Sequence, residues 1–476
     1  MAARAVTVDE ASWRERGGVR EAIRDNLWIH FTQMAQYQDP KNRPVVMVKG
    51  QGSTVWDDQG KAYIDALAGL YSVNAGYGRR EIVDAMAAQL EAIPFVNGFS
   101  HASVPAAVLA GKLAQMAPLG GDARVFFTSG GSEAVESALK LAKQYQKKLG
   151  FPNRYKTISR RGAYHGTTMG ALSVNGLTEV RNEFGPLVPG ARHVDMSHRY
   201  RCPYCKDTMT CSHDGYESIE QMVEFEGPET IAAIILEPVQ NAGGCIPPAS
   251  MDYFKKVRKL CDQTGILMIM DEVICGFGRI GTMFGSEYFD VEPDLITTAK
   301  GITSSYAPLG AVLARKSVAD VFNDGKPFMH GLTFGGHPVA CAAAIANIDI
   351  LEREDLPGRS REMGAYLRKE LIAAFGDHPH VGDIRGVGLF QGVELVKDRR
   401  TKESPDDPGL MMWMTEELRK KGILLRNDDR IDPTTQITPP LVVTREECDR
   451  VVLALREVID GIGRRWGTVG TVHAAS

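Results

Sequence analysis

Four short stretches place reactive or anion-binding residues at the ends of apolar runs. In "FFTSGGSEA", residues 126–134, two glycines and a serine open a helix-periodic segment. Gly130 and Gly131 permit a tight turn, and the Ser132 hydroxyl with the free N–H groups of a helix start makes a cup for a phosphate-like anion. "RGAYHGTT", residues 161–168, sets the ring of Tyr164 and His165 beside Gly166, where a ligand can approach the backbone closely. In "ILMIMDEV" the carboxylate of Asp271 emerges where a buried run ends, with Glu272 directed to the other side; a carboxylate so placed needs a cation. Lys300 stands alone in the apolar, hydroxyl-rich run "DLITTAKGITSSYAPLGAVLAR". Burial lowers a lysine's pKa and leaves a neutral amine that condenses with carbonyls.

Taken singly, each stretch has a structural explanation: a capped helix start, a tyrosine packed on the core, an ion pair, a lysine whose stem lies along the surface. Together, in this order, they match the parts of one ligand, pyridoxal phosphate. Its phosphate needs the cup, its ring a flat partner, its pyridine nitrogen an acid that keeps it protonated, and its aldehyde an amine. Asp271 is expected to hold the ring proton and Lys300 the aldehyde.

Such residues must sit where strands end. The runs "ARVFFTS", "TIAAIILEP", "GILMIMDEV", "PDLITTA" and "GAVLA" alternate with helix-periodic stretches such as "SEAVESALKLAKQYQKK". This pattern predicts an α/β fold whose parallel sheet is covered by helices on both faces, with ligands at the carboxyl ends of its strands. Residues 44–75 carry a turn-rich, hairpin-like pattern with "DDQG" at a tight turn. After residue 335 come a small-residue helix ("HPVACAAAIANIDILERE"), short strands ("GVGLFQGVELV", "GILLR", "QITPPLVV") and a final amphipathic helix from about residue 445. The expected organisation is a large cofactor-binding domain at residues 76–335. A smaller α+β domain is assembled from an N-terminal segment, residues 1–75, and from residues 336–476.

The same motifs resemble those of the class III (omega) aminotransferases of fold type I, the aspartate aminotransferase-like fold. The resemblance runs from "GLYSVNAGYGRREI" through "TSGGSEAVESALKLA", "AYHGTT", "LEPVQNAGG", "MDEVICGFGRIG", "PDLITTAKGI" and "TFGGHPVACAAA" to "IRGVGLFQGVEL". It implies a homodimer, or a dimer of dimers, with active sites at the subunit interface. Thr333 would reach the partner's cofactor phosphate beside Gly131 and Ser132, Val273 would pack on the ring face opposite Tyr164, and Glu237 would be the acid near the cofactor. Ornithine- and 4-aminobutyrate-type relatives carry a second glutamate where this chain has Ala242, which argues against those substrates. Arg426, in "GILLRNDD", resembles the mobile arginine that reads a substrate carboxylate, with Arg430 as the other candidate. Tyr71, in "AGLY", would line the substrate pocket with Tyr164.

The resemblance implies ping-pong transfer of an amino group from a primary amine or omega-amino acid to a keto acid, pyruvate above all. Rival readings are a mutase, lyase or decarboxylase on the same scaffold, or a binding protein that has lost turnover. A dinucleotide-binding dehydrogenase fits worse, because no G-x-G-x-x-G follows the first long strand. A net charge of −4 gives no case for nucleic acid or an acidic membrane surface as partner. The first residues carry charges throughout and lack the apolar core of a secretory signal, and no run approaches the roughly 20 apolar residues of a membrane span, so the cytoplasm is the expected location.

Eight cysteines are too few for a disulfide scaffold in a chain of 476 residues. The insert "RYRCPYCKDTMTCSHDGYE" nevertheless spaces Cys202 and Cys205 as C-x2-C, with Cys211 and His213 close behind, and four such ligands can make a tetrahedral zinc site. The span from the second to the third ligand is short for a zinc ribbon, so no metal centre is expected. Similar inserts occur in taurine-type relatives without establishing a metal.

Overall fold

The structure is a computed structural model that describes residues 18–39, 42, 44–205, 211–241 and 244–466. Among the described residues, those up to 50 with 55–62 form one compact unit, and 51–54 with those from 63 on form the other. In the first, the helix Gly18–Asn26 is tied by Arg20, which donates to Asp58 at 2.7 Å. The "DDQG" turn forms as expected: Gly60 N–H donates to the Asp57 carbonyl at 3.0 Å, and the Asp57 carboxylate caps the N–H groups of Gln59 and Lys61.

The second unit is built on a seven-stranded sheet. Its strands in chain order are β1 (Ala123–Thr128), β2 (Lys156–Arg160), β3 (Ala191–Val194), β4 (Ile231–Leu236), β5 (Leu267–Asp271), β6 (Leu295–Thr298) and β7 (Gly310–Arg315). They lie side by side in the order β1-β7-β6-β5-β4-β2-β3. Strands β2 to β6 pair in parallel, whereas β7 runs antiparallel to both β1 and β6. "GAVLA" was thus expected in the parallel set and is the reversed strand. Between β6 and β7 there is no crossover helix, only the short turn Lys300–Ile302 and a loop, so the chain folds back instead of crossing over. Strands β2 and β3, "KTISR" and "ARHV", were not foreseen.

Alternation along β5 explains the two covered faces. Met268 and Met270 enter one apolar core with Phe254 and Val257 of α2 (Tyr253–Thr264), while Leu267 and Ile269 enter the other with Ala134 and Ala138 of α1 (Gly131–Lys148). Each such Leu or Ile contributes about 1.5–3 kcal/mol by leaving water. At the strand's end the alternation sends Asp271 one way and Glu272 the other. Glu272 accepts from Gly285 N, Ser286 N and Ser286 Oγ at 2.6–2.7 Å, capping the next helical turn; burial pushes its pKa up to about 7 against those bonds.

The C-terminal part forms a four-stranded antiparallel sheet. Its strands β8 (Val381–Val387), β9 (Phe390–Leu395), β10 (Arg426–Asp428) and β11 (Thr434–Ile437) lie in the order β8-β9-β11-β10, and the helix Arg445–Arg465 follows them. Ile423 and Leu424 pair in parallel with Ile64 and Asp65, which brings the two ends of this unit together. The fully buried Arg279 donates to the carbonyls of Leu389 and Pro439 and to Asn74 Oδ1, tying three distant segments to the strand ends.

A second ionic knot sits on β9. Buried Glu394 meets Arg201 Nε at 2.6 Å, Arg385 Nη1, and His198 Nε2 at 3.7 Å. Burial works against its charge, but His198, Arg385 and Arg201 outweigh it and hold its pKa near 2, below the ordinary 4.5. A lowered folded-state pKa means stability that is present above 4.5 and drains as pH falls toward 2. Glu394→Gln therefore costs about 1.5–3 kcal/mol at neutral pH, the worth of a hydrogen bond to a charged group, because Asp383 and Asp432 still meet Arg385 and Arg201. The gap in melting temperature between the variant and the parent narrows once pH drops below about 4.

Candidate active site

The carboxyl ends of β4, β5 and β6 and the start of α1 enclose a cavity of about 340 Å³, within the size range of small-ligand sites. Every residue named from the sequence for the cofactor lines it except Thr333. Thr333 lies exposed in the turn before the helix Pro338–Arg353.

Asp271, the last residue of β5, is buried and held by three contacts, with Oδ2 carrying only one of them. Its Oδ1 accepts from Val273 N and from Thr297 Oγ1, both at 3.1 Å, and its Oδ2 lies 2.7 Å from His165 Nδ1. With Asp271 ionised, Nδ1 of His165 carries the proton and donates it, leaving the buried Nε2 without a protein partner. Thr297 was missed in the sequence; its role follows from the ladder, where it stands opposite Asp271.

Lys300 opens the turn after β6 with φ at +47°, a left-handed backbone that costs a residue other than glycine about 1 kcal/mol or more and is held only by its surroundings. Part of its surface opens onto the cavity, while the amine is enclosed. Desolvation draws its pKa down to about 8, although Asp271 and Glu237 pull the other way. The uncharged amine is therefore more accessible near neutral pH than in an ordinary lysine.

Glu237 follows β4 and is buried. Its Oε1 accepts from Asn241 N at 3.1 Å and Tyr164 N at 3.4 Å, and its Oε2 has no hydrogen-bond partner. Burial raises its pKa, opposed by His165 and Arg160. Arg160, at the end of the unforeseen β2, donates to the Glu237 carbonyl at 2.6 Å.

The cup differs in one detail from expectation. Ser132 is the second residue of the helix and not its cap; Gly130 precedes the helix. Ser132 Oγ accepts from Thr167 N at 3.1 Å, which leaves its own hydroxyl proton and the first-turn N–H groups free to face an anion. The "AYHGTT" loop reaches this close because residue 166 is glycine: φ is +122°, and a Cβ there would stand 2.5 Å from Ser132 Oγ. Similarly, a Cβ on Gly131 would stand 2.9 Å from Val273 Cγ1, so the helix start and the strand end pack directly. The cup, the acid, the enclosed amine and the aromatic wall of Tyr164 fit pyridoxal phosphate part by part.

Tyr71, Arg426 and Arg430 stand apart from these walls. Tyr71 is buried, donates its hydroxyl to Gln436 Oε1, and rests against Phe390 with ring centroids 6.0 Å apart. Arg426 Nε lies 2.8 Å from Asp428 Oδ2 and Arg430 Nε 2.9 Å from Asp428 Oδ1, so a single carboxylate holds both guanidinium groups. Burial disfavours that carboxylate, but Arg430 and Arg426 outweigh it and keep its pKa low. Ala242 lies outside the described residues.

The model of the family "Aminotransferase class-III" matches residues 36–459. A probable aminotransferase of Mycobacterium tuberculosis is 47% identical over 447 residues, covering 93% of this chain and 94% of its own. A putrescine–pyruvate aminotransferase of Pseudomonas aeruginosa is 37% identical over 444 residues, covering 92% and 94%. Among solved structures, the omega transaminase of Pseudomonas jessenii in complex with PMP superposes with a TM-score of 0.86 at 36% identity, covering 95% of this chain and all of that one.

Proposed function

The chain belongs to the class III aminotransferases, and from that premise we propose that it moves the amino group of a primary amine or omega-amino acid to pyruvate by a ping-pong mechanism. Its cofactor is pyridoxal phosphate and its fold is fold type I. The observation that carries the reading is one cavity holding the enclosed Lys300 amine and the Asp271 carboxylate beside a helix N-terminus. The pyruvate-using relative favours pyruvate as acceptor.

Bound, the cofactor supplies an aldehyde for the amine and an electron-withdrawing ring that stabilises a carbanion. The first turn of α1, with Ser132, would hold its phosphate, Asp271 its ring nitrogen, and Tyr164 and Val273 its faces. Asp271 keeps a proton at that nitrogen, and the His165 bond fixes the carboxylate for the task. Lys300 Nζ takes the proton from the amine-bearing carbon of the donor and, in the second half-reaction, gives one to the carbonyl carbon of the acceptor. Cys275, Val239 and Pro308 line the same cavity and restrict water around Lys300. Donor and acceptor use this cavity in turn.

Arg426 would orient the acceptor by a charge-assisted bond to its carboxylate and fold back on Asp428 for a donor without one. Thr333, exposed and outside its own cavity, would serve the partner's cofactor phosphate in a homodimer. Exposed Phe99, Met329 and Phe334 near it supply apolar surface for that contact. The large domain would span residues 76–335, with residues 1–75 and 336–476 forming the small one.

A panel of amines and omega-amino acids with pyruvate, read as alanine formed, tests the reading. Parallel double-reciprocal lines are expected, with up to one equivalent of carbonyl product per chain released by the donor alone and further product only when a keto acid is present; continued turnover without any keto acid would overturn it. In the same assay Arg426→Ala raises KM for pyruvate about 10–100-fold, the worth of a charged hydrogen bond, and leaves KM for a carboxylate-free amine unchanged. If Arg430→Ala carries that effect instead, the role belongs to Arg430.

A further inference from the structure

The insert between β3 and the helix Tyr216–Glu226 carries chemistry that aminotransfer does not use. Cys202, Cys205 and Cys211 bring their three sulfurs within 4.8 Å of one another, the first two partly accessible and the third buried. A tetrahedral zinc ion with bonds of about 2.3 Å to sulfur sets its sulfurs roughly 3.8 Å apart, so this triangle is close to closing on a metal. Three thiols cannot all be satisfied by one disulfide, and a soft cation takes all three. We propose that Cys202, Cys205 and Cys211 form a structural site for a zinc-class divalent cation, bound as three thiolates whose protons pass to solvent.

The spacing from Cys205 to Cys211 is short for a zinc ribbon, yet the three sulfurs stand together. His213, the fourth candidate, is not one of the group. Its Nδ1 lies 3.9 Å from Glu217 Oε1, and its ring rests against Tyr204 with centroids 5.3 Å apart. Water or a reoriented His213 completes the tetrahedron.

The flanks of the site tell what a metal would secure. Arg201, next to Cys202, meets Glu394 at 2.6 Å and Asp432 at 3.0 Å. Tyr204, next to Cys205, donates to Asp195 at 2.5 Å, and Lys402 donates to the Tyr200 carbonyl at 2.8 Å. Asp432 is two residues from Arg430, so the knot braces the segment that carries both candidate carboxylate-reading arginines.

The test uses the full-length holoenzyme purified under reducing conditions. About one zinc per chain is expected by elemental analysis, falling to background in Cys205→Ser and Cys211→Ser while cofactor content stays at the parent level. His213→Ala decides the fourth ligand: unchanged zinc retention against a chelator assigns it to water, weakened retention to His213. Should the serine variants fail to fold, cobalt added to the metal-stripped parent gives the answer, since one equivalent held by thiolates shows sulfur-to-cobalt charge-transfer absorption. The proposal is overturned if cobalt and zinc bind without a thiolate signature, if metal content does not depend on the three cysteines, or if thiol titration finds Cys202 and Cys205 joined in a disulfide in the intact protein.

Discussion

Lys300→Ala abolishes steady turnover. Loss of the proton-moving amine alone costs on the order of 10²–10⁴-fold in rate, and the variant also loses the group that displaces the product. The cofactor still binds, because the first turn of α1 and Asp271 are untouched, and a small added amine restores part of the rate. The pH dependence follows from the enclosed amine. Desolvation lowers its pKa to about 8, and only the unprotonated form attacks an aldehyde. The rate at which the apo chain attaches pyridoxal phosphate therefore rises about tenfold per pH unit up to about 8 and levels above it. Stopped-flow absorbance across that range reads it directly; a rise that continues to the ordinary lysine value near 10.5 would mean that burial does not tune this amine.

Asp271→Asn is the second large effect. The amide nearly preserves the shape, but removes the charge that keeps a proton on the ring nitrogen, and a neutral ring stabilises developing negative charge poorly. A fall in kcat on the order of 10²–10³-fold is expected, the usual cost of removing one preorganised electrostatic partner. A second readout separates this role from mere scaffolding. Asp271 raises the Lys300 pKa against desolvation, so removing its charge lets that pKa fall further and moves the pH profile for cofactor attachment toward acid. A variant with lost activity and an unmoved profile would leave Asp271 as structure alone.

The cofactor cavity was legible because parallel strands buried on both faces read as unbroken apolar runs, and the polar residue that ends such a run has to face the crevice. Asp271 and Lys300 follow from that rule. What escaped was set by pairing between distant segments. "KTISR" and "ARHV" lack apolar runs, and only their neighbours in the sheet make them strands; Arg160, under Glu237, was lost with the first of them. Thr297 acquires its bond to Asp271 from the register of two strands. Tyr71 finds Gln436 across 365 positions, and the shared grip of Asp428 on Arg426 and Arg430 depends on how β10 ends; neither is a matter of local pattern.

The most direct measurement is hydride reduction of the purified holoenzyme followed by peptide mapping. A pyridoxyl mass on the peptide containing Lys300, and on no other, is the predicted result; a label on a different lysine, or none on a protein saturated with pyridoxal phosphate, would contradict it.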